Sequence, residues 1–162
     1  MVSEEKIYIR NITPDDVESI YNLVDGSLTL RTYDKYLYRI LSEYFTKTCL
    51  VAESDNEIVG FILCFISQDD PSILFIWQIF VRETYRGKLV TQKLNKQIRD
   101  VAREMGCTKL HFTIASDSKL GKSMKKLSSI PFNSVSLHGL FLKSTKSDNG
   151  EEKIDILYET II

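Results

Sequence analysis

Cysteine is scarce in this chain: Cys49, Cys64 and Cys107 make an odd set with no close pair. Such spacing writes neither a disulfide framework nor a clustered metal site, and only His111 and His138 are there to add ligands, so no metal is expected. Cys49 and Cys64 fall inside apolar runs, where cysteine acts as a small hydrophobe, which predicts reduced structural thiols. Proline and glycine are sparse too, at three and seven residues, which with 43% apolar and 27% charged residues excludes collagen-like, low-complexity and disordered chains. There is no surplus of one charge: 21 basic against 22 acidic side chains give a net charge of -1, without the basic excess of a general nucleic-acid binder. The eight tyrosines are scattered, not interleaved with basic residues as a base-stacking platform needs. The longest apolar run, Ile73–Val81, is broken by Gln78 and is far too short to cross a bilayer, so no membrane partner is expected. The opening Met-Val-Ser-Glu-Glu-Lys carries acid where a secretory signal carries base. The expectation is a cytoplasmic protein, and 162 residues suit a single domain spanning 1–162.

The pattern of elements is legible. A strand over residues 7–10 leads to Thr13-Pro14-Asp15-Asp16, which reads as a helix start with an N-cap, a first-turn proline and two acids at the positive end of the dipole. Val17, Ile20, Tyr21 and Val24 recur at helical spacing until Asp25-Gly26. A second amphipathic helix is predicted over 33–45, with Leu37, Ile40, Leu41 and Tyr44 on one side. Strands follow over 49–53 and 58–67. The second is apolar on both faces, with Ile58, Ile62 and Ile66 on one and Val59, Phe61 and Phe65 on the other, so it belongs mid-sheet. Ile73–Val81 is a further buried strand, followed by a basic loop over 82–88 and a long helix whose stripe is Leu94, Ile98, Val101, Ala102 and Met105, capped by Gly106. Lys109–Ala115 reads as a strand, 119–127 as a short basic helix, and 135–142 and 154–160 as closing strands. Strands interleaved with helices and a hairpin predict one mixed-sheet α/β domain.

The most informative stretch is the junction of a buried strand, Arg86-Gly87-Lys88 and a helix start. Free amides and the helix dipole make such a junction an anion site, although a solvated basic connection has the same local pattern.

Val81-Arg82-Glu83-Thr84-Tyr85-Arg86-Gly87-Lys88 between an apolar strand and an amphipathic helix resembles the pyrophosphate-binding segment of the GNAT acetyltransferases, and the order of elements resembles their fold over the whole chain. The resemblance implies a single mixed, mostly antiparallel sheet flanked by helices, acetyl-CoA as co-substrate, and a homodimer. It places Ile79, Phe80 and Val81 along the thioester and pantetheine, where a bulge frees backbone groups, and Arg86, Gly87, Lys88, Leu89, Val90 and Thr91 around the pyrophosphate, with Ser118 nearby. Leu74-Phe75-Ile76-Trp77-Gln78-Ile79, together with Tyr36-Leu37, Thr48-Cys49-Leu50-Val51-Ala52-Glu53 and Ile156-Leu157-Tyr158, is similar to the diaminobutyrate acetyltransferases of ectoine biosynthesis. That likeness implies a small-molecule amine acceptor, a diamino acid or a relative of one, in a pocket of Trp77, Tyr36 and Asp155.

The departures from that pattern bear on chemistry. The two later small positions of the phosphate loop are Leu89 and Thr91, and a larger side chain restricts the close approach that glycine allows. At the positions where the family has Asn, a small residue and Tyr, this chain has Ser118, Gly121 and Lys125. Lys125 suits either a proton donor to the leaving thiolate or a partner for CoA phosphates. Thr29 stands where the pocket acid is expected, and Asp34 either replaces that acid or is a solvated first-turn acid. Asp34, Asp155 and Glu152 are the carboxylates available to take a proton from the amine. Plainer readings stand beside these: Trp77 as core, Tyr36 as packing, His111 as a structural strand residue without a neighbouring acid in sequence, and Lys119, Lys122, Lys125 and Lys126 as a solvated face. Two rival functions share the sequence features, a GNAT domain that binds CoA or a partner without turnover and a protein or peptide N-acetyltransferase.

Overall fold

The computed structural model describes residues 6–27, 32–87, 89–115, 134–146 and 152–162, with Ala115 and 134–146 and 152–156 described in backbone alone. The predicted 119–127 helix, Lys88, Ser118, Gly121, Lys125 and Thr29 lie outside the described residues.

The acid expected at the first helix start does more than complement a dipole. Asp16 is buried, accepts from the Thr13 backbone N–H at 2.7 Å, and takes two bonds from the Arg10 guanidinium at 2.8 and 2.9 Å. Burial alone would raise the Asp16 carboxyl, but Arg10 and the Thr13 amide outweigh it and hold the group below its ordinary value. Strand β1 (Tyr8–Asn11) is thereby tied to a 3₁₀ turn over Pro14–Asp16 and then to α1 (Val17–Asp25). After α2 (Lys35–Tyr44) come β2 (Cys49–Ser54), β3 (Glu57–Ile66), β4 (Ile73–Val81), α3 (Val90–Glu104), β5 (Lys109–Ala115), β6 (Ser134–Lys146) and β7 (Glu152–Ile161).

The seven strands form one sheet in the order β1-β2-β3-β4-β5-β7-β6, in which only β4 and β5 pair in parallel. This is the mixed, mostly antiparallel sheet the sequence implied. Helix α3 covers one face through Val90, Leu94, Ile98 and Ala102. Helices α1 and α2 cover the other through Val17, Ile20, Val24, Tyr38 and Leu41. Gly106, with φ +85°, ends α3, and the Cys107 N–H reaches back to the Ala102 carbonyl at 2.8 Å, the bond that closes a helix through a left-handed glycine. All three cysteines are buried and unpaired, and burial pushes the Cys49 thiol up to about 11.

Three sequence expectations need correction. Met105 is 40% exposed rather than part of the α3 stripe, because the helix has already ended at Glu104. Tyr44 is 77% exposed, and the buried side of α2 is Tyr38, Leu41 and Ser42, a stripe rotated from the expected one. The grouping along β3 is also exchanged: Ile58 packs with Phe61 and Leu63 on the α1/α2 side, and Val59 with Ile62 on the α3 side. The cause is a bulge. Ala52 pairs with Gly60 and Glu53 with Ile58, so Val59 has no opposite residue and the alternation reverses there.

Gly60 on β3 leaves no room for a side chain. A Cβ on it would lie 2.9 Å from the Phe80 carbonyl oxygen, 3.2 Å from Val81 Cγ2 and 3.3 Å from Val90 Cγ1. Gly60→Ala is expected to destabilise the protein by about 1–3 kcal/mol, the usual range for forcing a methyl into a packed interior. Urea unfolding measures it, and a loss under about 0.5 kcal/mol would mean that the strands separate freely.

Candidate active site

Strands β4 and β5 pair only over Ile73–Ile76 and Lys109–Phe112, although β4 continues to Val81 and β5 to Ala115. Among the described residues, the end of β4 from Trp77 onward therefore has no strand partner on its β5 side. The sheet forks there, and apart from the Val81 carbonyl, which Arg86 Nε reaches at 3.4 Å, the main-chain groups on that edge have no strand to bond. At the apex of the fork, β4 carries a bulge of its own: Leu63 pairs with Gln78 and Cys64 with Ile76, which leaves Trp77 without an opposite residue.

This bulge overturns one sequence argument. Simple alternation puts Trp77 and Ile79 on one face, but Trp77 packs with the α1/α2 side and Ile79 with the α3 side. Trp77 and Gln78, one on the bulge and one beside it, both serve the α1/α2 face. The Trp77 ring lies 4.4 Å from that of Tyr33 at 43°. Gln78 is buried and accepts from the Tyr38 hydroxyl at 3.1 Å, and that hydroxyl accepts from the Tyr33 N–H at 3.5 Å. Burial raises the Tyr38 phenol above its ordinary value, so it stays a neutral donor. The segment entering α2 is thus pinned to the bulge. Sequence reasoning missed Tyr33, Tyr38 and Gln78 as a unit, although a lone amide breaking an apolar run was the available signal.

Of the proposed cofactor residues, Ile79 and Phe80 are half-buried on opposite faces, and Phe80 stacks on Phe61 at 6.2 Å. Val81 and Val90 are core residues, so only their backbone groups are available to a ligand. Gly87 has φ +80°. Leu89 precedes α3 at φ +63°, a left-handed conformation that costs a branched or bulky L-residue about 1–2 kcal/mol, and its side chain is 56% exposed. The first intrahelical bond runs from the Lys93 N–H to the Leu89 carbonyl at 2.9 Å, which leaves the amides of Val90, Thr91 and Gln92 directed out of the helix start. Phosphate oxygens fit such a set of donors.

Arg86 is exposed. Its Nε donates to the Val81 carbonyl at 3.4 Å, and the guanidinium lies over the Phe80 ring at 6.0 Å from the centroid. It borders a cavity of about 720 Å³ between the end of α1, the β2–β3 turn and the 82–86 loop. Arg82, on the same wall, is paired with Glu57 at 2.7 Å. Arg86→Ala is expected to weaken acetyl-CoA binding by about 1.5–3 kcal/mol, the range for a charge-assisted hydrogen bond. An unchanged dissociation constant in calorimetry would remove Arg86 from the cofactor site.

The three residues expected to share a pocket are distributed unevenly. Trp77 stands at the apex of the fork, and Asp155 faces Ala115 in the β5–β7 register, at the end where the fork is widest. Tyr36 is 72% exposed on α2, makes no ring contact with Trp77, and does not border the 720 Å³ cavity; nor does Trp77. Asp34 is exposed and caps α2 by accepting from the Tyr36 N–H at 2.8 Å. His111, read as lacking an acid partner, has one: its Nε2 is 2.8 Å from Glu159 Oε2, and Lys109 Nζ is 3.5 Å from the same oxygen. Forty-eight residues of separation hid that pair from the sequence. Among the described residues no group of three His, Cys, Asp or Glu side chains is placed to hold a metal ion, and no helix is long and apolar enough to cross a membrane.

Residues 17–120 match the model of the acetyltransferase (GNAT) family. The L-2,4-diaminobutyric acid acetyltransferase of Marinococcus halophilus is 30% identical over 154 residues, which cover 93% of this chain and 88% of that protein. The enzyme of the same name from Halalkalibacterium halodurans is 32% identical over 121 residues, 75% of this chain but 62% of the relative's length. Among solved structures, diaminobutyrate acetyltransferase EctA of Paenibacillus lautus, in complex with its substrate L-2,4-diaminobutyric acid and coenzyme A, superposes with a TM-score of 0.76 at 22% identity, covering 97% of this chain and 95% of that one. Ard1 of Thermoplasma volcanium gives a TM-score of 0.71 at 19% identity, covering 96% and 97% of the two chains.

Proposed function

Because this chain belongs to the GNAT acetyltransferase family, we propose that it transfers acetyl from acetyl-CoA to a primary amine of a small diamino acid, 2,4-diaminobutyrate or a near relative. The observation that carries this reading is the fork: main-chain groups of Ile79 and Val81 on the unpaired edge of β4 lie between a bulge carrying Trp77 and the amide-rich start of α3. Acetyl-CoA supplies an activated acyl carbon. The chain's own residues do the rest. The amides at the start of α3, with Arg86, Gly87, Lys88, Leu89 and Thr91 beside them, attract and fix phosphate. The free edge of β4 holds the thioester extended, and an N–H near Ile79 polarises its carbonyl. Trp77 at the apex of the fork and Asp155, across β5 on β7, orient the amine for attack. Lys125 is assigned to the departing sulfur or to the cofactor phosphates.

Three buried free thiols suit the reducing cytoplasm, where we place the reaction. A homodimer is proposed on the family likeness, with sedimentation velocity as its check. The test of function is a thiol-release assay over a panel of amines, run beside CoA-dependent thermal stabilisation. Turnover on diaminobutyrate above other amines supports the proposal. Stabilisation by acetyl-CoA with no turnover on any amine would instead identify a binding module.

A further inference from the structure

We propose, resting on the acetyl-transfer reading above, that His111 is the group that accepts a proton from the acceptor ammonium, with Glu159 as the residue that positions it. The pair is built by the register of the sheet, in which His111 faces Glu159 on β7 and Phe75 on β4. Its side chains are only 14% and 19% exposed, and the contact of 2.8 Å is a charge-assisted length.

Its place in the sheet gives it a task. Leu110 belongs to the α3-side core, so His111, one residue on, lies on the α1/α2 face. The Phe75 ring lies 5.3 Å from that of Phe65, tilted by 34°, and Phe65 in turn meets Phe45 just after α2, so Phe75 shares that face with Trp77. The β4–β5 pairing ends one step later, at Ile76 and Phe112. His111 therefore stands directly behind the apex of the fork, on the face that Trp77 occupies. Among the described residues, the charged groups around it are Glu159 on β7, Lys109 on β5, and Asp70 in the β3–β4 turn, whose carboxyl is held low first by Ser72 and further by Lys109 and His111. Strand β4 brings Ile73 and Phe75 there and no titratable side chain. Glu159 itself is held below its ordinary value, mainly by the His111 hydrogen bond, so it remains an anion. A carboxylate that accepts from Nε2–H leaves Nδ1 with a free lone pair.

An aliphatic amine reaches the site as its ammonium ion near neutral pH. One proton passes from that nitrogen to His111 Nδ1, directly or through one water, and then to solvent. The freed lone pair forms the N–C bond at the thioester carbonyl and the C–S bond breaks. A second nitrogen proton goes to the departing sulfur, which leaves as the thiol, and the third remains on the amide. Glu159 stabilises the imidazolium between these steps, as a carboxylate does for any histidine base that it orients.

The test is kcat/KM for the amine from pH 5 to 9, in the wild type, His111→Gln and Glu159→Gln, with acetyl-CoA affinity and melting temperature measured on each. With the histidine acting, the wild type should show a plateau below the pKa of the amine, because the ammonium form is used directly. His111→Gln should replace the plateau by a continuous tenfold rise per pH unit, since only free amine then reacts. It should lower kcat/KM near pH 7 by about 100-fold, with acetyl-CoA affinity kept within twofold. Glu159→Gln should keep the plateau but lower it, because the amide no longer orients the imidazole or offsets the charge it gains in the step. A wild-type profile in His111→Gln, or a lower rate with the plateau intact, overturns the assignment and leaves a structural cross-strand pair. Should His111→Gln fail to fold, a plateau of wild-type height in Glu159→Gln overturns it equally. Wild-type protein that turns over no amine overturns the acetyl-transfer reading itself, and this one with it.

Discussion

Asp16→Ala is expected to destabilise the protein by about 3 kcal/mol at pH 7, at the low end of what breaking a buried ion pair costs. The carboxylate accepts from Thr13 N–H and twice from Arg10, and its side chain is only 8% exposed. Removing it leaves the Arg10 guanidinium with the Glu53 carboxylate at 2.9 Å and the Asn11 carbonyl at 3.2 Å, and takes the carboxylate from the Thr13 amide at the helix start. Glu53→Gln should cost under about 1 kcal/mol, because that side chain is 27% exposed and the Arg10–Asp16 bonds survive. The effect carries a pH signature. Asp16 titrates lower in the folded chain than in the unfolded one, so its contribution is fully present above about pH 3.9, the unfolded value, and is lost as pH falls through the folded value. The stability difference between wild type and Asp16→Asn should therefore narrow below about pH 4. Equal acid sensitivity in the two proteins would show that Asp16 does not govern that transition.

Trp77→Ala is expected to lower kcat/KM for the amine by about 100–1,000-fold, while acetyl-CoA affinity changes less than threefold. Effects of that size follow when a positioning contact beside the reacting atoms is lost. The ring lies against Tyr33 at the apex of the fork, on the face opposite Ile79. On the function proposed above, its removal acts on the amine and not on the cofactor. Some stability is lost as well, about 3 kcal/mol for an indole that is only half-buried. Trp77→Phe, which keeps a ring on Tyr33, separates the two effects: it should recover most of the stability and less of the rate. If cofactor affinity fell in step with the rate, Trp77 would belong to the acetyl-CoA path instead.

The order of elements was legible because each is written in local chemistry. Thr13-Pro14-Asp15-Asp16 opens a helix by capping and dipole, Gly106 closes one by its left-handed φ, and the apolar runs at β4 and β5 match the observed Ile73–Val81 and Lys109–Ala115 without shift. The strand-to-helix junction was legible for the same reason, since the end of an apolar run and the start of an amphipathic helix are local signals. Period-two alternation failed at two places, Val59 and Trp77, and both are bulges. An extra residue in one strand is defined only against the strand beside it, so no single-strand pattern can announce it. The same holds for Gly60, whose missing side chain matters only because Phe80 and Val90 come close.

The sequence by itself determined a single α/β chain of this element order, with buried reduced thiols and a basic strand-to-helix junction, because capping, periodicity and burial preference act over a few residues. Only the tertiary structure decided that β4 and β5 part after Ile76, that Trp77 and Ile79 face opposite ways, that Gln78 is held by Tyr38, and that His111 has Glu159 for a partner. Each of those is a contact between residues distant in the chain, brought together by strand register, and register is set by the whole sheet rather than by any one segment.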